Sequence, residues 1–239
     1  MASNNPWDYM SAHDVARFGD VIADPEEQWR WCSAIFLGGL PWMWQHAGGL
    51  KDIIYNRLSL KRGDRVLLIG ESNEGTKFEE EIIARIGTEG ELRSIDMIER
   101  VRNGVRDRIA GRGGKIGTFE YDFTYPDPTD HYDAIAVLQG VAHSDDWAST
   151  AQELLRVVKP GGAIVLAEIN FGEPLIRKAS EDLHLEYWLT KIMAGRRMNI
   201  ADLPYVPMEE LVAAFEGLWA ENGSFTWKGA DVLWGYKPS

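Results

Sequence analysis

The 239-residue chain is 45% hydrophobic, enough for one sizeable core, and its formal charge of −12 repels phosphate backbones, which argues against nucleic acid as a partner. Its single cysteine, Cys32, excludes an internal disulfide and a cysteine-based zinc cluster. No run approaches the roughly 20 apolar residues of a membrane helix, and the first ten residues lack the charged and apolar regions of a signal peptide; both point to a cytoplasmic protein without a membrane span.

The elements follow in chain order. Asp24-Pro25-Glu26-Glu27 is a helix start, with Asp as N-cap, Pro in the first turn and acids at the positive end of the dipole. This helix carries Trp29, Trp31 and Ile35 up to Gly38-Gly39. A second helix is expected over residues 50–58, where Leu50, Ile53, Ile54, Arg57 and Leu58 recur at spacings of three and four.

From residue 64 strands and helices alternate. Residues 65–69, RVLLI, form a continuous apolar run suited to a strand covered on both faces. A loop over 70–75 leads to a helix over 76–86, whose stripe is Phe78, Ile82 and Ile86. Strand two is expected over 91–97, a helix over 98–110, strand three over 115–121, strand four over 134–138 and a helix over 146–158. The Arg-dense stretch 93–112 is diluted by Asp96, Glu99 and Asp107 and reads as a solvated helix face. Lys159-Pro160-Gly161-Gly162 breaks the chain before strand five, over 163–169. The last part differs: a helix over 208–220 precedes strands over 224–227 and 232–236, joined closely enough to be antiparallel. The fold class is therefore α/β, a doubly wound, mostly parallel seven-stranded sheet finished by an antiparallel hairpin.

Ligands of such sheets bind beyond the carboxyl ends of the strands, near the point where strand order reverses. Here those positions hold Gly70, Glu71, Ser72 and Gly75, then Asp96, Asp122, Gln139 to His143, Glu168 and Asn170. An adenosyl ligand explains them. A first turn of small residues lets backbone approach it. Asp96, 21 residues after Gly75, is placed to accept from both ribose hydroxyls. Asp122 can accept from an adenine amino group, with Met97 and Phe123 as apolar walls. His143, five residues past strand four, is the candidate general base; its alternative is to flank a helix capped by Ser144 or Asp145. Glu168 and Asn170 end strand five, within reach of a substrate, with ordinary strand-end hydrogen bonding as the alternative. No spacing of histidines and carboxylates makes a metal site.

The loop 70–77, GESNEGTK, misses a phosphate-binding P-loop because Lys77 follows Thr76 and two glutamates would face the phosphate. It also misses the dinucleotide fingerprint, whose middle glycine is Ser72 here.

In their order and spacing, L-K-R-G-D-R-V-L-L-I-G, S-I-D-M, Y-D-F, H-Y-D-A-I-A-V-L and L-L-R-V-V-K-P-G-G-A-I-V-L-A-E resemble the S-adenosylmethionine-dependent methyltransferases, nearest the ubiquinone/menaquinone C-methyltransferase type. The resemblance runs from about residue 60 to 171 and resumes at G-A-D-V-L-W-G-Y-K-P. It implies a Rossmann-like domain over 61–239, S-adenosylmethionine as cofactor, and methyl transfer to a small molecule. It also implies a lid made by a helical extension, residues 1–60, and an insert, residues 171–206. Both carry aromatic residues and histidines: Trp44 and His46 in the first, His184, Tyr187 and Trp188 in the second. They suit a hydrophobic or aromatic substrate, with core or homodimer packing as the alternative. The chain departs from the family at the first loop, which usually reads as an acid, one residue, then G-x-G-x-G. Leu68 stands for the acid, and Ser72 and Glu74 stand for two glycines. This departure keeps two alternatives open: a repurposed lyase, dehydratase, isomerase or cyclase, and a non-catalytic binding subunit.

Overall fold

The computed structural model describes residues 49–70, 77–95, 106–107, 109, 111, 114–117, 125–138, 144, 146–169, 208–227 and 230–239. They form α1 (Leu50–Leu58), β1 (Arg65–Ile69), α2 (Phe78–Ile86), β2 (Glu91–Ile95), β3 (Gly114–Gly117), β4 (Tyr132–Leu138), α3 (Trp147–Val157), β5 (Val158–Ile169), α4 (Met208–Ala214), β6 (Glu221–Trp227) and β7 (Ala230–Tyr236). The expected helix over 98–110 lies largely outside the described residues.

One sheet runs in the order β3-β2-β1-β4-β5-β7-β6. The first five strands are parallel, and β7 is antiparallel to both β5 and β6. The β1 run RVLLI is buried over Val66 to Ile69 because both its faces are covered. Val66 and Leu68 pack with Ile54 and Leu58 of α1 and Phe78, Ile82 and Ile86 of α2. Leu67 and Ile69 belong to the opposite layer, with Ala151 and Leu154 of α3 and Leu211 of α4. Helices on both faces make the sheet doubly wound, as the alternation of elements predicts.

Strands β4, β6 and β7 begin at Tyr132, Glu221 and Ala230, earlier than the expected 134, 224 and 232, and three other differences from the sequence reading have a local cause. The Lys159-Pro160-Gly161-Gly162 segment lies inside β5: Tyr132 pairs with Val158, and after a register shift Ala134 pairs with Ala163. Its extra residues form a bulge. Gly161 takes a left-handed φ of 74° and donates to the Lys237 carbonyl at 2.9 Å, so the turn chemistry read as a breaker is absorbed by pairing with the chain end. Helix α4 stops at Ala214 because the next bonds tighten to i→i−3, from Phe215 to Val212 and Glu216 to Ala213, ahead of left-handed Gly217. The N-cap of α3 is Asp146, whose carboxylate accepts from the Ala148 and Ser149 amides at 3.0 and 3.1 Å. Ser144 instead receives the Asp146 amide and pairs with the Thr150 hydroxyl.

The segment leading into β4 is fastened from both sides. Arg156 of α3 donates to the carbonyls of Tyr125 and Asp127 at 2.9 Å each, Glu153 accepts the Tyr125 amide at 2.8 Å, and Arg93 of β2 pairs with Asp127. Burial first, and the Asp127 carboxylate second, push the Tyr132 phenol well above its ordinary range and keep it protonated. At the same amino-terminal end of the strands Asp133 accepts the Arg65 amide at 2.8 Å and pairs with Lys159 at 2.5 Å. No helix among the described residues is long and apolar enough to cross a membrane.

Candidate functional site

The carboxyl ends of β2, β1, β4 and β5 form a stepped rim. Ile69 is level with Ile95 on one side and Val137 on the other, so β4 reaches one residue further, to Leu138. Leu138 pairs with Ala167, and β5 continues two residues beyond it, to Ile169. At strand spacings of about 4.8 Å the rim is about 14 Å long, comparable to an extended nucleoside with a short side arm. The chain leaves β1 for β2 on one side and returns from β3 to β4 on the other. That reversal places the crevice between β1 and β4.

Gly70 caps the end of β1. It is buried, donates its amide to the Ile95 carbonyl at 3.0 Å, and turns at once into a left-handed φ of 75°. A side chain there would be strained, so the first turn begins with the residue that lets backbone swing close to a ligand. Ile69, Ile95 and Leu138 are all nearly inaccessible, giving the rim an apolar floor. A glycine turn over an apolar floor, with an acid next in the chain after β2, is a fit for an adenosyl group.

Glu168 is the other predicted site residue within the described part. Its side chain is only 4% exposed, on the α3 and α4 face of β5. It stands directly opposite Asp231 of β7, itself buried, and Asp231 accepts a hydrogen bond from Thr226 of β6. Two carboxylates face each other one residue short of the rim. The sequence reading named Glu168 but not Asp231. The two lie 63 positions apart, and only the β5–β7 register joins them.

Glu71, Ser72, Gly75, Asp96, Met97, Asp122, Phe123, Gln139, His143, Asn170, Trp44, His46, His184, Tyr187 and Trp188 lie outside the described residues. Four of the strand ends still fix where the chain departs toward them: Glu71 follows Gly70, Asp96 follows Ile95, Gln139 follows Leu138 and Asn170 follows Ile169. Among the described residues, no group of histidine, cysteine and acids could hold a metal ion.

A family model described as a methyltransferase domain matches residues 75–166. The ubiquinone/menaquinone biosynthesis C-methyltransferase of Nitrosospira multiformis is 25% identical over 162 residues, covering 66% of this chain and 61% of its own length. Its counterpart in Neisseria meningitidis is 26% identical over 163 residues, covering 66% and 58%. A solved S-adenosylmethionine-dependent methyltransferase from Aquifex aeolicus has the same fold, with a TM-score of 0.58 at 14% identity over 87% of this chain and 98% of that one. In sequence over residues 75–166 and in fold, the chain is similar to S-adenosylmethionine-dependent methyltransferases. It spans about three-fifths of the length of these curated relatives. The domain match starts at Gly75, past most of the unusual first loop, and stops two residues short of Glu168.

Proposed function

We propose that the protein is an S-adenosylmethionine-dependent methyltransferase acting on a small hydrophobic or aromatic acceptor. The observation that carries this reading is the reversal of strand order between β1 and β4, with Gly70 turning over an apolar rim and Asp96 next in the chain after β2. In this reading Gly70, Glu71, Ser72 and Gly75 border the methionine end of the cofactor. Asp96 accepts from the ribose hydroxyls, Asp122 from the adenine amino group, and Met97, Phe123 and Gln139 line the base. The cofactor supplies an electrophilic methyl group on a sulfonium. The protein's own work is alignment and exclusion of water, with His143 as the one base that removes a proton from the acceptor.

The acceptor class rests on where the two aromatic segments meet the sheet. A methyl group built on Gly49, where the extension joins the described chain, would stand 3.8 Å from Trp227 Cζ2. Trp227 pairs with Ala230, and Ala230 with Ile169, where the insert departs. The segments that carry Trp44 and His46, and His184, Tyr187 and Trp188, therefore join the described chain at one corner of the sheet, at Gly49 and at Ile169. That favours a shared apolar chamber over two unrelated packing patches.

Calorimetry with S-adenosylmethionine and S-adenosylhomocysteine tests the cofactor assignment, which fails if neither binds. Incubation with candidate quinone-like or aromatic acceptors should add about 14 Da, the mass of a methyl group replacing hydrogen, in step with release of S-adenosylhomocysteine. The altered first loop, with Leu68, Ser72 and Glu74 at three family positions, favours a second reading. This is a repurposed enzyme that binds the cofactor and converts its substrate without that mass change.

A further inference from the structure

Helix α2 begins in an unusual way. Its N-cap, Lys77, has a left-handed φ of 57° and no side-chain hydrogen bond to the helix, although Ser, Thr, Asp or Asn normally satisfies the first amides. A lysine in that conformation is strained and persists only where its surroundings impose it. Two positions on, Glu79 is completely inaccessible. It lies at spacings of three and seven from Ile82 and Ile86, on the stripe that packs against the sheet. A carboxylate on a core-facing stripe breaks the binary pattern, and glutamate is seldom fully buried unless held by partners. One partner is Ser94 of β2, whose hydroxyl donates to Glu79 Oε1 at 3.4 Å. Ser94 is itself buried and pairs with Leu68 of β1. The Glu79 carboxylate therefore meets the sheet at Ser94, the β2 residue paired with Leu68, one residue before the ends of β1 and β2.

The two fixed ends of the first loop are thus Gly70 and Lys77, both left-handed, and Glu79 bonds the second end to the strand next to the first. From this geometry we infer that Glu79 is a positioning residue for the turn between β1 and α2. It anchors the start of α2 to β2 and so sets the mouth of the turn that borders the methionine end of the cofactor. Being wholly inaccessible, it acts through the backbone and does not touch the ligand. This inference rests on the cofactor reading proposed above.

The test compares S-adenosylhomocysteine with 5′-methylthioadenosine, which keeps the adenosyl part and lacks the amino-acid arm. For Glu79→Ala, calorimetry should show a loss of affinity for S-adenosylhomocysteine of about tenfold, and for 5′-methylthioadenosine of less than twofold. Glu79→Gln, which keeps the length and one acceptor oxygen, should fall between wild type and Glu79→Ala. Ser94→Ala removes only the donor and should show the same selective loss, smaller, if Glu79→Ala does not fold. Equal losses for both ligands, or a lowered melting temperature with unchanged S-adenosylhomocysteine affinity, would overturn the inference and leave the cofactor reading standing. Failure of the wild-type protein to bind either ligand would remove the cofactor reading and this inference together.

Discussion

Gly161 and Gly162 stand side by side in the β5 bulge, and the structure assigns them different reasons to be glycine. A Cβ on Gly162 would lie 2.7 Å from Val158 Cγ2 and 2.9 Å from the carbonyl oxygens of both Asp133 and Lys159. Two of the three obstacles are backbone in the β4–β5 ladder, so neither can swing aside. On Gly161 the same atom would meet only Ser239 Oγ, at an ordinary 3.8 Å, and the cost there is its left-handed φ of 74°. Gly162→Ala should therefore cost about 3 kcal/mol, the upper end for forced overpacking. Gly161→Ala should cost about 1 kcal/mol, the penalty for L-residues in that conformation. For a chain of this size each kcal/mol lowers the melting temperature by about 2–4 °C. Scanning calorimetry should then place Gly162→Ala about 6–12 °C below wild type and Gly161→Ala about 2–4 °C below, with urea titrations ranking them alike. Equal shifts, or a larger one for Gly161→Ala, would refute the assignment of crowding to one glycine and conformation to the other.

Asp96→Ala should weaken S-adenosylhomocysteine binding more than tenfold by calorimetry, since charged hydrogen bonds contribute about 1.5–3 kcal/mol; unchanged affinity removes its ribose role. Lys77→Gly relieves the left-handed N-cap of exposed Lys77 and should raise the melting temperature by about 2–4 °C, from about 1 kcal/mol regained. A fall would show that the lysine side chain is holding the turn. The Asp133 and Asp146 carboxyls are both held below the ordinary carboxylate range. At Asp133 burial pushes upward but is outweighed by the Arg65 amide and Lys159, and at Asp146 the Ser149 hydroxyl and amide lead. Groups depressed in the folded state stabilise it above their unfolded value, about 3.9, and that stability is lost as pH falls through the folded values. Urea unfolding at pH 6, 4 and 3 should show the decline setting in below about pH 4, and Asp133→Asn with Asp146→Asn should flatten it.

The sheet was legible because its strands are buried on both faces and punctuated by strong turns. RVLLI at β1 and AIAVL in β4 announce themselves without reference to any other segment, and α1 matches its expected bounds at both ends. The β5 start was misread for the opposite reason. Lys-Pro-Gly-Gly is breaker chemistry locally, and only pairing with the chain end at Lys237 shows it to be part of a strand. Asp231 and Glu79 were invisible for the same cause: nothing near either residue in the sequence marks it, and their meaning lies in the β5–β7 register and in a bond from β2. The remaining site residues lie outside the described residues.

Of these buried carboxylates, Glu79 bears on the departure at the first loop. The family pattern puts an acid on β1 where this chain has Leu68, which would leave the corner between β1 and β2 without a charge. In the structure a carboxylate occupies that corner regardless, delivered by α2 through Glu79 and held by Ser94, the residue paired with Leu68. Moving the acid from a strand to the first turn of a helix changes what else is tolerated. Restoring only the β1 acid, by Leu68→Asp or Leu68→Glu, should therefore set two carboxylates against each other in a dry corner. It should destabilise the protein more than Leu68→Ala does, unless Glu79→Gln accompanies it.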